Sequence, residues 1–288
     1  MDNLPFAFSN SVCGLASKEA LQELPKSASD NWAFNGQHHR DNRRYFCFEM
    51  FKKSAEFGWF IKLQGVNRLK TLDRFSELSP NLDRISRIHF LAKEPEQSEN
   101  QVERFQLATV LKLLSSYTLP ECAVLLESEE IQESLLEEDH LFPTINDITL
   151  TYCGEKSEQL LASFSHAQYW CLSRWPQEAA LSLEKVMFQK DLRKFKVYGT
   201  CKFGFNLAKY FIDRHIESST SCNFRFANAS QHFSVEEISN YRPECQLGSR
   251  LTLSFRCKNR DYVYFLKKCD NSILRVSLDA YCFLGRLL

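Results

Sequence analysis

Cysteine, histidine and carboxylate side chains supply most protein nucleophiles, bases and metal ligands, and this chain carries 11 cysteines and 7 histidines. No two cysteines are spaced as Cys-x-x-Cys, and their odd number, scattered from Cys13 to Cys282, spells out neither a zinc site nor a disulfide framework. Cys153 beside Gly154 and Cys201 before Gly204 are the best-placed thiols for nucleophilic chemistry, but neither stands in a local signature that would supply a base. The acidic run from Glu127 to Asp139 also holds Glu129, Glu130, Glu133, Glu137 and Glu138, with no intervening base. Such carboxylates can bind a divalent cation. With Ile131, Leu135 and Leu136 at helical spacing, they read instead as a solvated helix face able to attract a basic partner. His38, His39, Arg40, Arg43 and Arg44 form the densest basic cluster and read as a solvated helix end, whose adjacent histidines point to different sides. The expectation is a non-enzymatic protein with no catalytic residue, metal or cofactor; a cysteine-dependent hydrolase is the remaining enzymatic reading.

Composition narrows the classes further. Lysine plus arginine and aspartate plus glutamate are 36 each, so the chain lacks the broad basic field that nucleic acid or an anionic membrane surface would require. Glycine is 9 of 288 residues, well under the usual share of about 7%, and no phosphate-cradling glycine motif occurs. The opening residues lack the pattern of a signal peptide and no apolar run approaches a membrane span. A reduced cytoplasmic or nuclear protein is expected, its cysteines serving mostly as small buried hydrophobes.

The elements that would position any site begin with Leu4, Phe8, Val12 and Leu15, at spacings that share one face of a short helix with Pro5 in its first turn. Leu21, Leu24 and Trp32 extend this to three helices. Tyr45 to Phe51 and Trp59 to Leu63 are aromatic-rich runs that read as a β-hairpin. From residue 86 onward, strand-like runs alternate with helical stripes, and the strands share the spacing L-x-x-L-x-L. The best copy is Ile145, Ile148, Leu150 and Cys153, with Cys153 at the buried turn position of the leucine-rich-repeat template. Weaker copies end at Phe90, Val124, Leu172 and Val197, and the intervals between successive last positions are 34, 26, 22 and 25 residues. The helical stripes between them include Val110, Leu111 and Leu114; Leu160, Leu161 and Phe164; Leu183, Val186 and Met187; and Leu207, Ala208 and Phe211. Strand followed by helix, repeated, forces parallel pairing. An irregular solenoid and an ordinary α/β sheet both satisfy the pattern. Leu251 to Cys257 and Tyr262 to Leu266 read as a second hairpin that seals the last open edge, with Ile273 to Leu278 as a further strand.

The order Leu4-Pro5, Phe8, Val12, Leu15, Leu21, Leu24, Trp32 resembles the F-box, which opens on Leu-Pro and closes on a tryptophan. The opening Met1-Asp2, Pro5, Phe8, Val12, Leu15, with Asn42-Arg43-Arg44 and Phe46, is similar to a large family expanded in nematodes whose N-termini are F-box-like. The likeness departs at Phe8, where leucine is usual, and in the polar stretch Pro25 to Asp30. What it implies is docking on a Skp-type adaptor of a cullin-RING ubiquitin ligase through Leu4, Pro5, Phe8, Val12 and Leu15, with the rest of the chain recruiting a protein substrate. A free-standing repeat-type scaffold is the alternative. Partner contacts are expected on the open strand face at Thr149, Thr151, Tyr169, Lys196 and Tyr198, flanked by Cys171 and Ser173. The expected organisation is α/β, with an F-box-like trihelical module over 1–44, a β-hairpin cap over 45–72, an irregular leucine-rich-repeat-like β-α array over 73–230 and a β-hairpin cap over 231–288.

Overall fold

The structure, a computed structural model, describes residues 5–27, 29–52, 59–66, 77–92, 104–105, 107–137, 145–189, 191–201, 203–217, 223–227, 235–242, 261–266, 273–278 and 282–287. The protein is mixed α/β, and the chain divides into two compact units, Met1–Ile148 and Thr149–Leu288.

The first unit opens with three helices, α1 (Phe6–Leu15), α2 (Lys18–Ser27) and α3 (Asp30–Asn42), followed by β1 (Arg44–Lys52), β2 (Trp59–Gly65), β3 (Asp83–Phe90) and the short β4 (Arg104–Phe105). Then come α4 (Leu107–Tyr117), β5 (Thr118–Leu126) and α5 (Glu129–Glu137), and the strand order is β5-β3-β1-β2-β4. β1 and β2 are the antiparallel pair read from the aromatic runs, while β3 joins β1 in parallel and β5 joins β3 in parallel. The three-residue step in Ile85-x-x-Ile88-x-Phe90 has a local cause. Register runs Phe46↔Ile85 and then Cys47↔Arg87, so Ser86 is the extra residue of a β-bulge. The bulge lets Ile85, Ile88 and Phe90 all enter the core, where each is fully buried.

The second unit carries β6 (Asp147–Thr151), α6 (Glu155–Ser163), β7 (Tyr169–Trp175), a 3₁₀ turn (Gln177–Ala179), α7 (Ala180–Met187), β8 (Lys194–Gly199), α8 (Phe205–Glu217), β9 (Asn223–Ala227), α9 (Val235–Ser239), β10 (Asp261–Leu266), β11 (Ile273–Leu278) and β12 (Cys282–Leu287). Its strands run β6-β7-β8-β9-β12-β11-β10. β7, β8 and β9 pair in parallel, as strand-helix alternation demands, whereas β12 meets β9 antiparallel and begins an antiparallel meander back to β10. β9 was not among the strands read from spacing. The first run of the anticipated C-terminal hairpin, 251–257, lies outside the described residues; β10 pairs with β11.

Burial alternates along β6, β7 and β8, so one face of each strand carries the core and the other is half-exposed. The core face holds Ile148, Leu150, Trp170, Leu172, Phe195 and Val197. At the end of β7 Arg174 takes φ 60° and drops out of register, which turns Trp175 inward opposite Gly199. A Cβ on Gly199 would stand 2.2 Å from the Trp175 carbonyl oxygen, so only glycine fits that approach.

Two expectations are corrected. Cys153 is half-buried rather than sealed in a turn; the fully buried group there is Ser157, whose hydroxyl accepts the Cys153 N–H at 2.8 Å. The basic cluster is not uniformly solvated either, because His39 and Arg43 are buried while only His38 and Arg40 are exposed. Arg43 donates to the carbonyls of Ala16, Cys13 and Gly14 at 2.7, 2.6 and 3.1 Å, and Arg84 donates to Gly14 and, at 2.8 Å, to Pro80. At the C-terminus of α1, where carbonyls run short of helical N–H partners, the Ala16 N–H reaches only Cys13, and two guanidiniums from the start of the sheet supply the further donors to Cys13, Gly14 and Ala16.

Arg43→Met is expected to lower the stability of the full chain by about 2–3 kcal/mol, because buried carbonyls lose charge-assisted donors. The exposed Arg40→Met should change it by under about 0.5 kcal/mol. Urea unfolding midpoints compare the two.

Candidate functional site

Helix α1 begins where Pro5, as N-cap, fixes the entering chain, and it ends at Ala16, whose N–H bonds the Cys13 carbonyl. Its inward face is small and polar. Ser9, Cys13 and Gly14 are buried, the Ser9 hydroxyl accepts from Asn35 Nδ2 at 2.7 Å, and Asn10 Oδ1 meets His39 Nε2 at 2.8 Å. Gly36 on α3 is buried opposite this seam. The outward face is the apolar one: Phe6 and Phe8 are each 50% exposed, Val12 37% and Leu15 68%, and Phe34 of α3 adds a ring at 61%. Phe6 lies 6.0 Å from Phe34 between ring centres, and Phe8 stands edge-on to Trp32 at 6.4 Å. An ordinary surface helix buries its apolar stripe. Here hydrogen bonds hold α1 in place and leave the stripe in water.

Of the residues expected to dock an adaptor, Pro5, Phe8, Val12 and Leu15 are all exposed on this helix, and Leu4 lies outside the described residues. Leu21 is buried and Leu24 and Trp32 are half-buried, so they belong to the module's interior and rim. On the strand face of the second unit, Thr149, Tyr169, Cys171, Ser173, Lys196 and Tyr198 are half-exposed. Thr151 is corrected: it is buried, and its hydroxyl shares a 2.8 Å hydrogen bond with Ser173. Register places Cys171 beside Lys196, Ser173 beside Tyr198 and Lys196 beside Arg225, and the Arg225 guanidinium lies 5.5 Å from the Tyr198 ring centre. Lys194, Lys196 and Arg225 supply the positive charge of this face, and Asp147, two residues before Thr149 on β6, adds one carboxylate at its edge.

The thiols singled out for nucleophilic chemistry are poorly placed. The Cys201 thiol donates to the Pro176 carbonyl at 2.7 Å, and burial pushes it up to about 11, so it stays protonated at neutral pH. The Cys153 sulfur lies 3.5 Å from the Thr151 carbonyl. In the first unit Cys47, Glu49 and His89, which no spacing rule had joined, offer ligand atoms that all lie within 4.8 Å of one another. His89 Nδ1 is 3.7 Å from Cys47 Sγ and 3.7 Å from Glu49 Oε1. The Cys47 thiol and then the Glu49 carboxylate raise the imidazole to about 9 against the opposing effect of burial. Cys47 and His89 are 42 positions apart in the chain, and the parallel pairing of β1 with β3 brings them together.

No family model, no curated protein and no solved structure matches this chain. No helix among the described residues is long and apolar enough to cross a membrane.

Burial, the neighbouring Arg43, His38 and Arg84 push the His39 imidazole down to about 4. The unfolded imidazole protonates near 6.5, so the unfolded chain gains a proton first as pH falls. His39 therefore costs no stability above pH 6.5, and its protonation in the unfolded state withdraws up to about 3 kcal/mol as pH drops from 6.5 to 4. Urea unfolding across that window should show the loss, and His39→Gln should flatten it.

Proposed function

We propose that the chain is a non-enzymatic interaction protein whose N-terminal helices dock, in the manner of an F-box, on a Skp-type adaptor of a cullin-RING ubiquitin ligase. What carries this reading is the apolar stripe of α1, which faces solvent at the positions the F-box likeness assigns to the adaptor. A free-standing scaffold would have used that stripe to pack the helices on the sheet, yet hydrogen bonds do that work. Phe8, Val12 and Leu15 expose 50%, 37% and 68% of their surface, so covering them and one further side chain yields roughly 3–6 kcal/mol, against an association cost on the order of 4–15 kcal/mol. Phe6, Phe34 and the rim of Trp32 supply the additional area that such a balance needs.

Recruitment falls in this reading to the half-exposed strand face of the second unit, with Tyr198 as the aromatic anchor and Lys194, Lys196 and Arg225 around it. Its charge suits an acidic segment of a protein substrate. The acidic helix α5 is the competing surface: Glu129, Glu130 and Glu133 are exposed on it while Ile131, Gln132 and Leu135 are buried.

Purified full chain should bind the Skp-type adaptor, and the double change Phe8→Ser with Leu15→Ser should weaken binding at least about thirtyfold. Because both side chains are exposed, the melting temperature should stay unchanged. Absence of adaptor binding, or binding indifferent to the double change, overturns the reading.

For a partner captured by the full chain, Tyr198→Ala should weaken binding about thirtyfold and leave adaptor binding intact. Survival of binding in Tyr198→Ala, with its loss on neutralising Glu130 and Glu133, would transfer recognition to α5.

A further inference from the structure

We propose that Cys47, Glu49 and His89 form a zinc site with three protein ligands and a fourth position open to water or to a ligand from solution. Three kinds of donor converge here: a thiol, a carboxylate and an imidazole, with every pair of ligand atoms inside 4.8 Å. Zinc bonds of about 2.0–2.3 Å at tetrahedral angles place two ligand atoms about 3.4–3.6 Å apart. The separations from His89 Nδ1 to Cys47 Sγ and to Glu49 Oε1, 3.7 Å each, match that edge within a small side-chain adjustment.

Two other interpretations of the same three residues fit less well. At 3.7 Å the contact of His89 with Glu49 is too long for an N–H···O hydrogen bond, so the three are not a closed hydrogen-bonded network. A thiol-imidazole-carboxylate relay requires the thiol and the carboxylate on opposite ring nitrogens. Here Cys47 Sγ lies 3.7 Å from Nδ1 and 3.9 Å from Nε2, and Glu49 Oε1 lies 3.7 Å from Nδ1, so thiol and carboxylate are not divided between opposite nitrogens. Convergence on one point is the geometry of ligands around an ion.

The backbone fixes this arrangement in advance. Cys47 and Glu49 are two apart on β1 and so share a face. His89 is the register partner of Glu49 on β3, and it reaches that face only because the bulge at Ser86 advances β3 by one residue. The Cys47 side chain is buried, whereas Glu49 and His89 keep 14% and 28% of their side-chain surface, enough for an ion to enter from solvent. Thiolate and imidazole together select zinc among the common divalent ions, and carboxylate suits it as a third ligand. Lys62 is the register partner of Glu49, and Arg87 that of Cys47, on the neighbouring strands. Calcium and magnesium, which take oxygen ligands, are disfavoured by a set in which two of the three donors are sulfur and nitrogen.

The test is calorimetric titration of the chelator-stripped full chain with zinc chloride, followed by cobalt chloride as a spectroscopic probe. The expected result is saturable zinc binding that excess magnesium does not displace, and a cobalt complex showing a thiolate charge-transfer band and the intense visible absorption of tetrahedral coordination. Cys47→Ser should abolish the charge-transfer band. His89→Gln, at a half-exposed position, should keep the melting temperature of the metal-free protein and weaken zinc by more than about a hundredfold, since even changes to groups behind the ligands cost 10–100-fold. Should Cys47→Ser fail to fold, His89→Gln and Glu49→Gln carry the test alone. Absence of saturable zinc binding, or binding of equal strength and stoichiometry in His89→Gln and Glu49→Gln, overturns the site.

Discussion

The first unit depends on two buried arginines that grip the end of one helix. Arg43 and Arg84 reach from the start of β1 and β3 to the carbonyls of Cys13, Gly14 and Ala16, and neither guanidinium could be so placed unless the two strands began side by side. That alignment is enforced next door, where the fully buried Asp83 accepts from Arg44 Nε at 2.7 Å and from the Ser79 N–H at 2.7 Å. Packing two like charges together is unfavourable: burial and then Arg43 lower the Arg84 pKa, while Asp83 opposes the change. The negative end of the α1 dipole compensates further. Gly14 is part of the same device, because a Cβ there would come within 3.1 Å of the Arg84 guanidinium.

Once polar bonds anchor α1, its apolar residues need only partial cover, which Phe34 and Trp32 of α3 give to Phe6 and Phe8. Ser9, Asn10, Asn35 and His39 form the seam that leucines usually form, and the phenylalanines are left on the outside. Buried polar contacts specify one geometry more strictly than apolar ones do, since a small slip leaves a donor or acceptor unpaired. The helix is thus held in one orientation with its stripe presented.

Much of the array was legible because burial imposes a period. The apolar residues assigned to the strand copies are buried, from Ile85 through Leu119 and Cys122 to Val197, with Cys153, which is half-buried, as the exception. The three-residue step has two physical origins: in β3 and β5 it falls at a break in strand register, whereas Ala167 and Leu192 precede β7 and β8 and are buried in the turn leading into them. β9 was missed because Asn-Phe-Arg-Phe-Ala offers one aromatic pair amid polar residues and takes its place from β8 and β12 on either side. The cluster of Cys47, Glu49 and His89 had no local signal at all. It exists through strand register, which a spacing rule along the chain cannot express. The fate of Arg43 was hidden for a related reason, since a basic residue at a helix end looks the same whether it meets water or another helix's carbonyls.

The antiparallel closure of β9 by β12 sets an order of assembly. Parallel strands β7, β8 and β9 are complete once residue 227 has been made, but the strand that covers β9 spans Cys282–Leu287. During synthesis of the stretch between them, β9 presents an unpaired ladder to any other nascent chain, and β10 and β11 can form their own hairpin without relieving it. The slow, non-local event in the second unit is therefore the return of β12 to β9. Until that strand arrives, β9 stands at the open edge of its parallel group.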